Sequence, residues 1–238
     1  MLWLPLGQHE FLFEHWMKLG TFMVPFLLFI ALIYRQHQIQ LTQDIRLLSL
    51  CMFIIYIAHQ FEEHWIDLNG NTYAFQGFLN STLKSLLSVN DADALLISKA
   101  DIFMINTSVV WLVACLAIYF ASERIFPTLA LAGLILVNSI SHSLAAIKSL
   151  AYNPGLITSI VIFIPFCLWF YNYIFKQKLT KFSLILWSIA WALVAHIILM
   201  VGLVLANHYE VLPSIIYYCV LIVWSIIPAL IKSKLRID

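Results

Sequence analysis

The amino-acid sequence predicts an all-α membrane protein, a polytopic transmembrane helix bundle of about seven spans. Of its 238 residues, 63% are hydrophobic and only 11% are charged. A soluble domain carries about 25% charged residues, because it must cover its surface in water. In addition, mostly apolar stretches of about 20 residues, the length that crosses a hydrocarbon core, recur along the whole chain. We therefore interpret residues 1–238 as a single transmembrane domain.

Each predicted span is a mostly apolar segment that polar or charged residues bound on either side. The spans cover residues 19–34, 45–64, 102–122, 126–148, 155–175, 182–206 and 212–231. The aromatic and charged residues before the first span suit a short segment at the membrane interface. Prolines inside three spans predict local kinks, at Pro25, Pro165 and Pro228.

The distribution of lysine and arginine predicts the orientation of the bundle. If the N-terminus lies outside, nine of the 13 basic residues fall on the inner side. These are Arg35, Arg46, Arg124, Lys176, Lys178, Lys181, Lys232, Lys234 and Arg236. Because cytoplasmic segments carry an excess of basic residues, the sequence favours an N-out, C-in multi-pass protein of the cell membrane. The net charge of +1 gives no basic field that would attract nucleic acid.

One long connection, between the second and third spans, runs from about residue 66 to residue 100. Within it, residues 75–87 form an amphipathic patch, in which apolar residues recur at the spacing of one helix face. Loops of this length are usually functional or disordered, and the apolar content argues against disorder. The sequence therefore predicts an amphipathic outer helix that lies on the bilayer or covers the bundle.

The second span ends in a run of ionisable residues, which are costly at membrane depth and need a reason to be there. His59, Glu62 and Glu63 stand in i, i+3 and i+4 relation, so they share one helix face. By the same periodicity, His64 is expected to point elsewhere.

Four further spans place polar or turn-forming residues at the same predicted membrane level, the sixth through Asn207 and His208 at its exit. Asn138 and His142 of the fourth span are again i and i+4, so they form one stripe. The candidate site residues outside the second span are Asn106, Asn138, His142, Pro154, Gly155 and Thr158. This convergence indicates one shared site near one face of the membrane.

The Pro154-Gly155 step stands where the fifth span begins. Proline is well suited to the first turn of a helix, and glycine allows close approach of the backbone. The free amides of that turn could face an anionic group, or the step could be a simple tight turn into the helix.

The residue types of this set match the chemistry of a metal site. His59 and Glu63 can bind one ion from a single helix face, and His142, with Asn138, can complete the coordination. Imidazole and carboxylate together suit a divalent transition metal, either zinc or non-haem iron. Glu62 is a further candidate ligand or a general base. A two-metal site is an alternative, although helical di-iron proteins have more carboxylates and place glutamate before histidine.

Two other interpretations of the same residues remain open. Adjacent Glu62 and Glu63 could form a metal-free acid–base site in which a Glu–His pair moves protons. Alternatively, the polar groups could lie wet at the interface and hold the helices together by hydrogen bonds. His196, in the middle of the sixth span, is better explained as a helix–helix hydrogen-bonding residue than as a ligand.

Three motifs in this order resemble a known family. They are His59-Gln-Phe-Glu62-Glu63, then Asn138-Ser-Ile-Ser-His142, then Tyr152-Asn-Pro154-Gly155. Together they resemble the bacterial integral membrane proteins named for their HXXEE motif, over about residues 45–160. The resemblance implies a bacterial plasma-membrane protein whose signature positions are these residues. Because the function of that family is unknown, the resemblance implies no reaction.

The functional hypothesis is a membrane-embedded, metal-dependent hydrolase or oxidase. Its substrate would be a membrane lipid or another apolar small molecule that enters between helices beneath the amphipathic segment. Glu62, Glu63 and His142 would be the catalytic residues, with Asn106 and Asn138 orienting them. A small proton-coupled transporter and a non-catalytic membrane protein are the alternatives.

Overall fold

The computed structural model describes residues 6–37, 45–91 and 93–233. Within these ranges the chain is helical, with no β-strand and one isolated β-bridge between Ile66 and Thr72. The helices are α1 (Leu6–His37), α2 (Ile45–His64), α3 (Ala74–Leu87), α4 (Lys99–Phe120), α5 (Phe126–Ser149), α6 (Leu156–Lys176), α7 (Phe182–Asn207) and α8 (Ser214–Leu230). The predicted all-α membrane fold is confirmed.

Six of the described helices, namely α1, α2, α4, α5, α6 and α7, are long and apolar enough to cross a membrane. Helix α8 is also apolar, but it has only 17 residues. The number of spans and the N-out, C-in orientation therefore stay predictions. Two of the basic residues used for that orientation, Lys234 and Arg236, lie outside the described residues.

The first helix differs from the prediction because it begins at Leu6 rather than near residue 19. Residues 6–18, which we expected to form a short interfacial segment before the first span, are part of the same helix as that span. Only 17% of its apolar stretch is buried inside the bundle. Phe22, Phe26 and Phe29 are exposed, as suits side chains that face lipid.

Two helices contain π-helical turns, which the sequence analysis did not predict. In α4 the π segment is Asn106–Trp111, and in α6 it is Ser159–Phe163. Pro165 follows the second segment closely, and its missing N–H interrupts the regular bonding pattern there. Single π turns inside α-helices are frequent at functional sites. Both turns here begin beside residues that the sequence analysis assigned to the site.

Helix α5 lies at the centre of the bundle. Every residue from 126 to 135 is buried, and the helix contacts α2, α4, α6, α7 and α8. Its closest approach is to α7 at Gly133, where an added Cβ atom would lie 2.8 Å from the Ser188 carbonyl oxygen and 3.1 Å from the Ala192 Cβ atom. The absence of a side chain at this glycine therefore sets the α5–α7 distance.

The predicted amphipathic helix is present as α3. Leu83 is buried on one face, whereas Leu86 is exposed on the other. The Asn80 side chain ties the helix down, because its Oδ1 atom accepts from the backbone N–H groups of Leu96 and Ile97, at 2.8 and 3.1 Å. This contact holds α3 over the ends of the neighbouring helices.

Replacing Gly133 tests the α5–α7 contact. We expect Gly133→Ala to lower the free energy of unfolding by about 1–3 kcal/mol, because the new methyl group meets backbone that cannot move cheaply. The matched control is Gly77→Ala in α3, where nothing lies within 4 Å of an added Cβ atom. That control should be neutral or stabilising by up to about 1 kcal/mol. Thermal unfolding in detergent measures both, and equal shifts would contradict the proposed close packing.

Candidate functional site

Three buried side chains from two helices meet around one carboxylate. The Nε2 atom of His142, on α5, lies 3.0 Å from Glu63 Oε1, on α2. The Nε2 atom of His59, one turn before Glu63, lies 3.4 Å from Glu63 Oε2. One ligand atom from each of the three residues lies within 4.8 Å of the others. In a search of the His, Cys, Asp and Glu side chains of the described residues, these three form the group whose ligand atoms lie close enough together to hold one metal ion.

Hydrogen bonds determine which nitrogen of His59 carries a proton. The Thr158 hydroxyl lies 2.6 Å from Glu62 Oε2, and a carboxylate can only accept, so the hydroxyl donates to Glu62. The same hydroxyl lies 2.8 Å from His59 Nδ1 and must accept there. The proton of a neutral His59 is therefore on Nδ1, and its Nε2 atom carries a lone pair. The Asn138 side-chain amide lies 2.8 Å from that Nε2 atom and donates to it.

His142 has the same tautomer for a different reason. The Asn153 Nδ2 atom donates to the His142 carbonyl oxygen at 3.0 Å, which fixes the orientation of the amide. Its Oδ1 atom therefore accepts from His142 Nδ1, at 2.7 Å. Consequently Nε2 of a neutral His142 also carries a lone pair. The sequence analysis did not select Asn153, although its place directly before Pro154 was a usable signal.

Two groups that both lack a proton therefore face each other in the centre of the cluster. The lone pair of His142 Nε2 points at an oxygen of Glu63 across only 3.0 Å. Without anything between them the two would repel, and both are buried away from water. A cation fits between them, either a metal ion or a shared proton.

A third imidazole, His64, also faces Glu63, with Nε2 3.3 Å from Oε2. The Trp111 indole can only donate, and it donates to Gln60 Oε1. Gln60 Nε2 then donates to Asn106 Oδ1, and Asn106 Nδ2 lies 3.2 Å from His64 Nε2 and donates to it.

The expectation that His64 points elsewhere was wrong. Adjacent residues leave a helix about 100° apart, but the long Glu63 side chain bends towards the ring of its neighbour.

Glu62 lies outside this group of three, contrary to the sequence-based expectation of a metal ligand. Its carboxylate accepts four hydrogen bonds, from the backbone N–H groups of Ile157 and Thr158, the Thr158 hydroxyl and the Tyr152 hydroxyl, at 2.6–3.1 Å. Burial raises the pKa of Tyr152, and the hydrogen bond to Glu62 acts in the same direction, so this phenol stays protonated. The anionic group expected at the start of the fifth span is thus Glu62.

Gly155 leaves the space that the cluster occupies. Its φ of +92° is a conformation that residues with side chains rarely adopt. An added Cβ atom would lie 2.7 Å from His142 Cε1, 2.8 Å from His59 Cε1 and 2.9 Å from Glu63 Cγ. Pro154, directly before it, is buried. The close backbone approach expected for this step therefore takes place, against the three side chains of the cluster.

A cavity of about 310 Å³ adjoins the cluster. Its wall combines residues of α2, α3, α4, α5 and α7, and most of them are apolar. Glu63 and His142 reach the cavity from one side, and Phe75 and Phe78 of α3 cover it. Its remaining polar wall residues include Asn106, Asn138 and His196. The cluster is therefore open to an apolar compartment beneath the amphipathic helix.

A family model described as "Protein of unknown function with HXXEE motif" matches residues 50–170, just over half of the chain. The matched region contains all three side chains of the cluster, Glu62 and the Asn153–Gly155 turn. A search of curated proteins found no match, and a search of solved structures found none either.

Two glycines with positive φ allow a matched test of the space at the cluster. Gly155→Ala should lower the free energy of unfolding by about 2–4 kcal/mol, of which about 1–2 comes from backbone strain and the rest from crowding. Gly70→Ala has the same kind of strain, at a φ of +79°, but nothing lies within 4 Å of its Cβ position. Thermal unfolding in detergent compares them. If Gly70→Ala destabilises the protein as much as Gly155→Ala, crowding is not the cause.

Glu62→Gln tests the anchor between α2 and α6. The substitution removes the charge and turns an amide N–H₂ group towards donors, so we expect a loss of about 1.5–3 kcal/mol of unfolding free energy. Tyr152→Phe is the control, because it removes only one of the four donors to Glu62; it also removes the acceptor of the exposed Leu68 N–H, and it should cost about 1 kcal/mol. Thermal unfolding in detergent again measures the effect, and equal losses in the two variants would be the contrary result.

Proposed function

The chain belongs to the family of proteins of unknown function that carry the HXXEE motif, and we propose that it is a membrane-embedded, metal-dependent enzyme. We assign His59, Glu63 and His142 as the metal ligands. The observation that carries this proposal is the buried Glu63 carboxylate, which has the Nε2 lone pair of His142 at 3.0 Å, with no donor to it among the described residues, and Nε2 of His59 at 3.4 Å. The proposed location is the plasma membrane of a bacterium, as a multi-pass protein.

The donor set fits zinc or non-haem iron. Two imidazoles and one glutamate are a known set of protein ligands in catalytic zinc sites, which leave one position for water or substrate. Ligating histidines normally donate their other N–H to a neighbouring oxygen, and here Thr158 and Asn153 accept those protons. A bound metal would take the place of the Asn138 N–H at His59, and rotation of that amide would present its oxygen instead.

Each protein group then has a distinct task. A bound divalent metal would supply Lewis-acid polarisation of a substrate oxygen. Glu63 would be the carboxylate ligand beside the two histidines, and among the described residues it is the carboxylate that lines the cavity. Glu62 acts as a positioning residue, because it holds Thr158, which in turn orients His59. Asn153 does the same for His142.

The cavity supports a lipid-like or apolar substrate. Its wall is mostly aliphatic and aromatic, and its size is at the lower end of the range for small-molecule pockets. The part of α5 from Leu134 to Ala145 lines the cavity, on the side of the Glu63 cluster. Hydrolysis or oxidation of a membrane lipid or another apolar small molecule is the reaction class that we propose.

A proton-coupled transporter is the second candidate, because the 3.0 Å contact between His142 and Glu63 also suits a shared proton. In that case Glu63 and His142 would load and release the proton without a metal. The metal content of the protein separates the two candidates.

Elemental analysis of the detergent-purified chain tests the metal. We expect about one zinc or iron per chain in the wild type and loss of that metal in His142→Ala and Glu63→Gln, because each variant lacks one ligand. His208→Ala is the matched control, since His208 lies at the end of α7 and outside the cluster, and it should retain the metal. Wild-type protein without a transition metal, and without a thermal shift on adding one, would overturn the metal and favour the shared proton.

A further inference from the structure

The cavity wall has a second polar point on α7, at His196. Its Nδ1 atom lies 2.8 Å from the carbonyl oxygen of Ala192, one turn earlier. Because a carbonyl oxygen only accepts, Nδ1 donates and the lone pair of a neutral His196 is on Nε2. Within the described part of the chain, no residue donates a hydrogen bond to this Nε2 atom. The expectation of a helix–helix bonding residue is not met, since the bond stays within α7.

Within the described residues, no hydrogen bond joins His196 Nε2 to the other polar side chains of the cavity wall, Tyr56 and Asn138 included. Two hydroxyls of the cavity wall donate to their own helices, Thr82 to the Phe78 carbonyl oxygen at 2.9 Å and Ser141 to the Val137 carbonyl oxygen at 3.0 Å. The amide of Asn106 donates to Ile102 and His64. The residues beside His196 on the wall are apolar, namely Ala195, Leu199 and Met200. Because this wall is mostly apolar, a donor group on a bound molecule would gain a hydrogen bond by pairing with His196 Nε2.

His196 and the Glu63 cluster share one compartment. Both line the same cavity, so one bound molecule can contact both. In addition, Gly133 packs against Ala192, one turn before His196, which places His196 beside the start of the α5 wall that carries Asn138 and His142.

We propose that His196 is a substrate-binding residue, whose Nε2 atom accepts a hydrogen bond from a hydroxyl or N–H group of an amphiphilic substrate. This inference rests on the proposed function and narrows its substrate class. The substrate is an amphiphile with one apolar chain and a hydrogen-bond donor near its reacting end, such as a fatty alcohol, a monoacylglycerol or a fatty amide. Its chain lies against α3 and the aliphatic wall. Hydrocarbons and molecules with acceptors alone leave His196 unpaired and bind more weakly.

Two isomeric probes test the donor requirement, namely decanol and nonyl methyl ether, which have the same atoms but differ in the hydroxyl. Native mass spectrometry of the detergent-purified chain measures the binding of each. We expect decanol to bind the wild type roughly 5- to 10-fold more tightly, as one hydrogen bond in an apolar cavity predicts. His196→Phe should reduce this ratio to about one, while both probes still bind. His196→Gln, whose amide oxygen accepts, should retain the preference.

Each outcome decides the proposal. Equal binding of the two probes to the wild type, binding of neither, or a preference that persists in His196→Phe would overturn it. The metal content of the same samples separates this inference from the proposed function, because His196 is outside the ligand group and His196→Phe should retain the metal. A preference for decanol in a metal-free wild type would support the binding role and reject the metal enzyme. A metal-loaded wild type without a preference would do the reverse.

Discussion

The contact between the Glu63 carboxylate and the bare nitrogen of His142 is the constraint on which the rest of the structure depends. Neither atom brings a proton, and neither is solvated, so the arrangement is stable only with a positive charge between them. The surrounding groups enforce this condition. Asn153 and Thr158 hold the ring protons on the far side, and Gly155 removes the side chain that would separate the rings from the carboxylate.

Two chains of hydrogen bonds between helices determine which ring nitrogen of His59 and of His64 carries the proton. One runs from the start of α6 through Glu62 and Thr158 to His59, and the other runs from Trp111 on α4 to His64. In each chain the first group has a fixed role, because a backbone N–H or an indole can only donate. Every later donor and acceptor follows from it. The tautomers in the site are thus set by contacts between helices, outside the group of His59, Glu63 and His142.

The sequence predicted the helices and the convergence of His59, Glu63 and His142, because apolar run length and the i, i+4 relation need no tertiary information. It did not predict the partner of Glu62, the approach of His64 or the role of Asn153. These depend on how long side chains bend after the helices pack, and on a short turn whose shape is set by one glycine. The sequence analysis also did not predict the π turns, although Pro165 directly after the second one was a usable local signal.

The close packing of α5 against α7 at Gly133 has a consequence for the cavity that both helices line. The backbones of α5 and α7 lie close together there, and both helices line the cavity, so moving them apart would break this close packing. Helix α3, by contrast, is joined to the bundle by connecting segments at both ends and is pinned mainly through Asn80. If the cavity binds a substrate, as proposed, the substrate would therefore enter by displacement of α3 rather than by separation of α5 from α7, and its rate of entry could change without a change in the geometry of the Glu63 cluster.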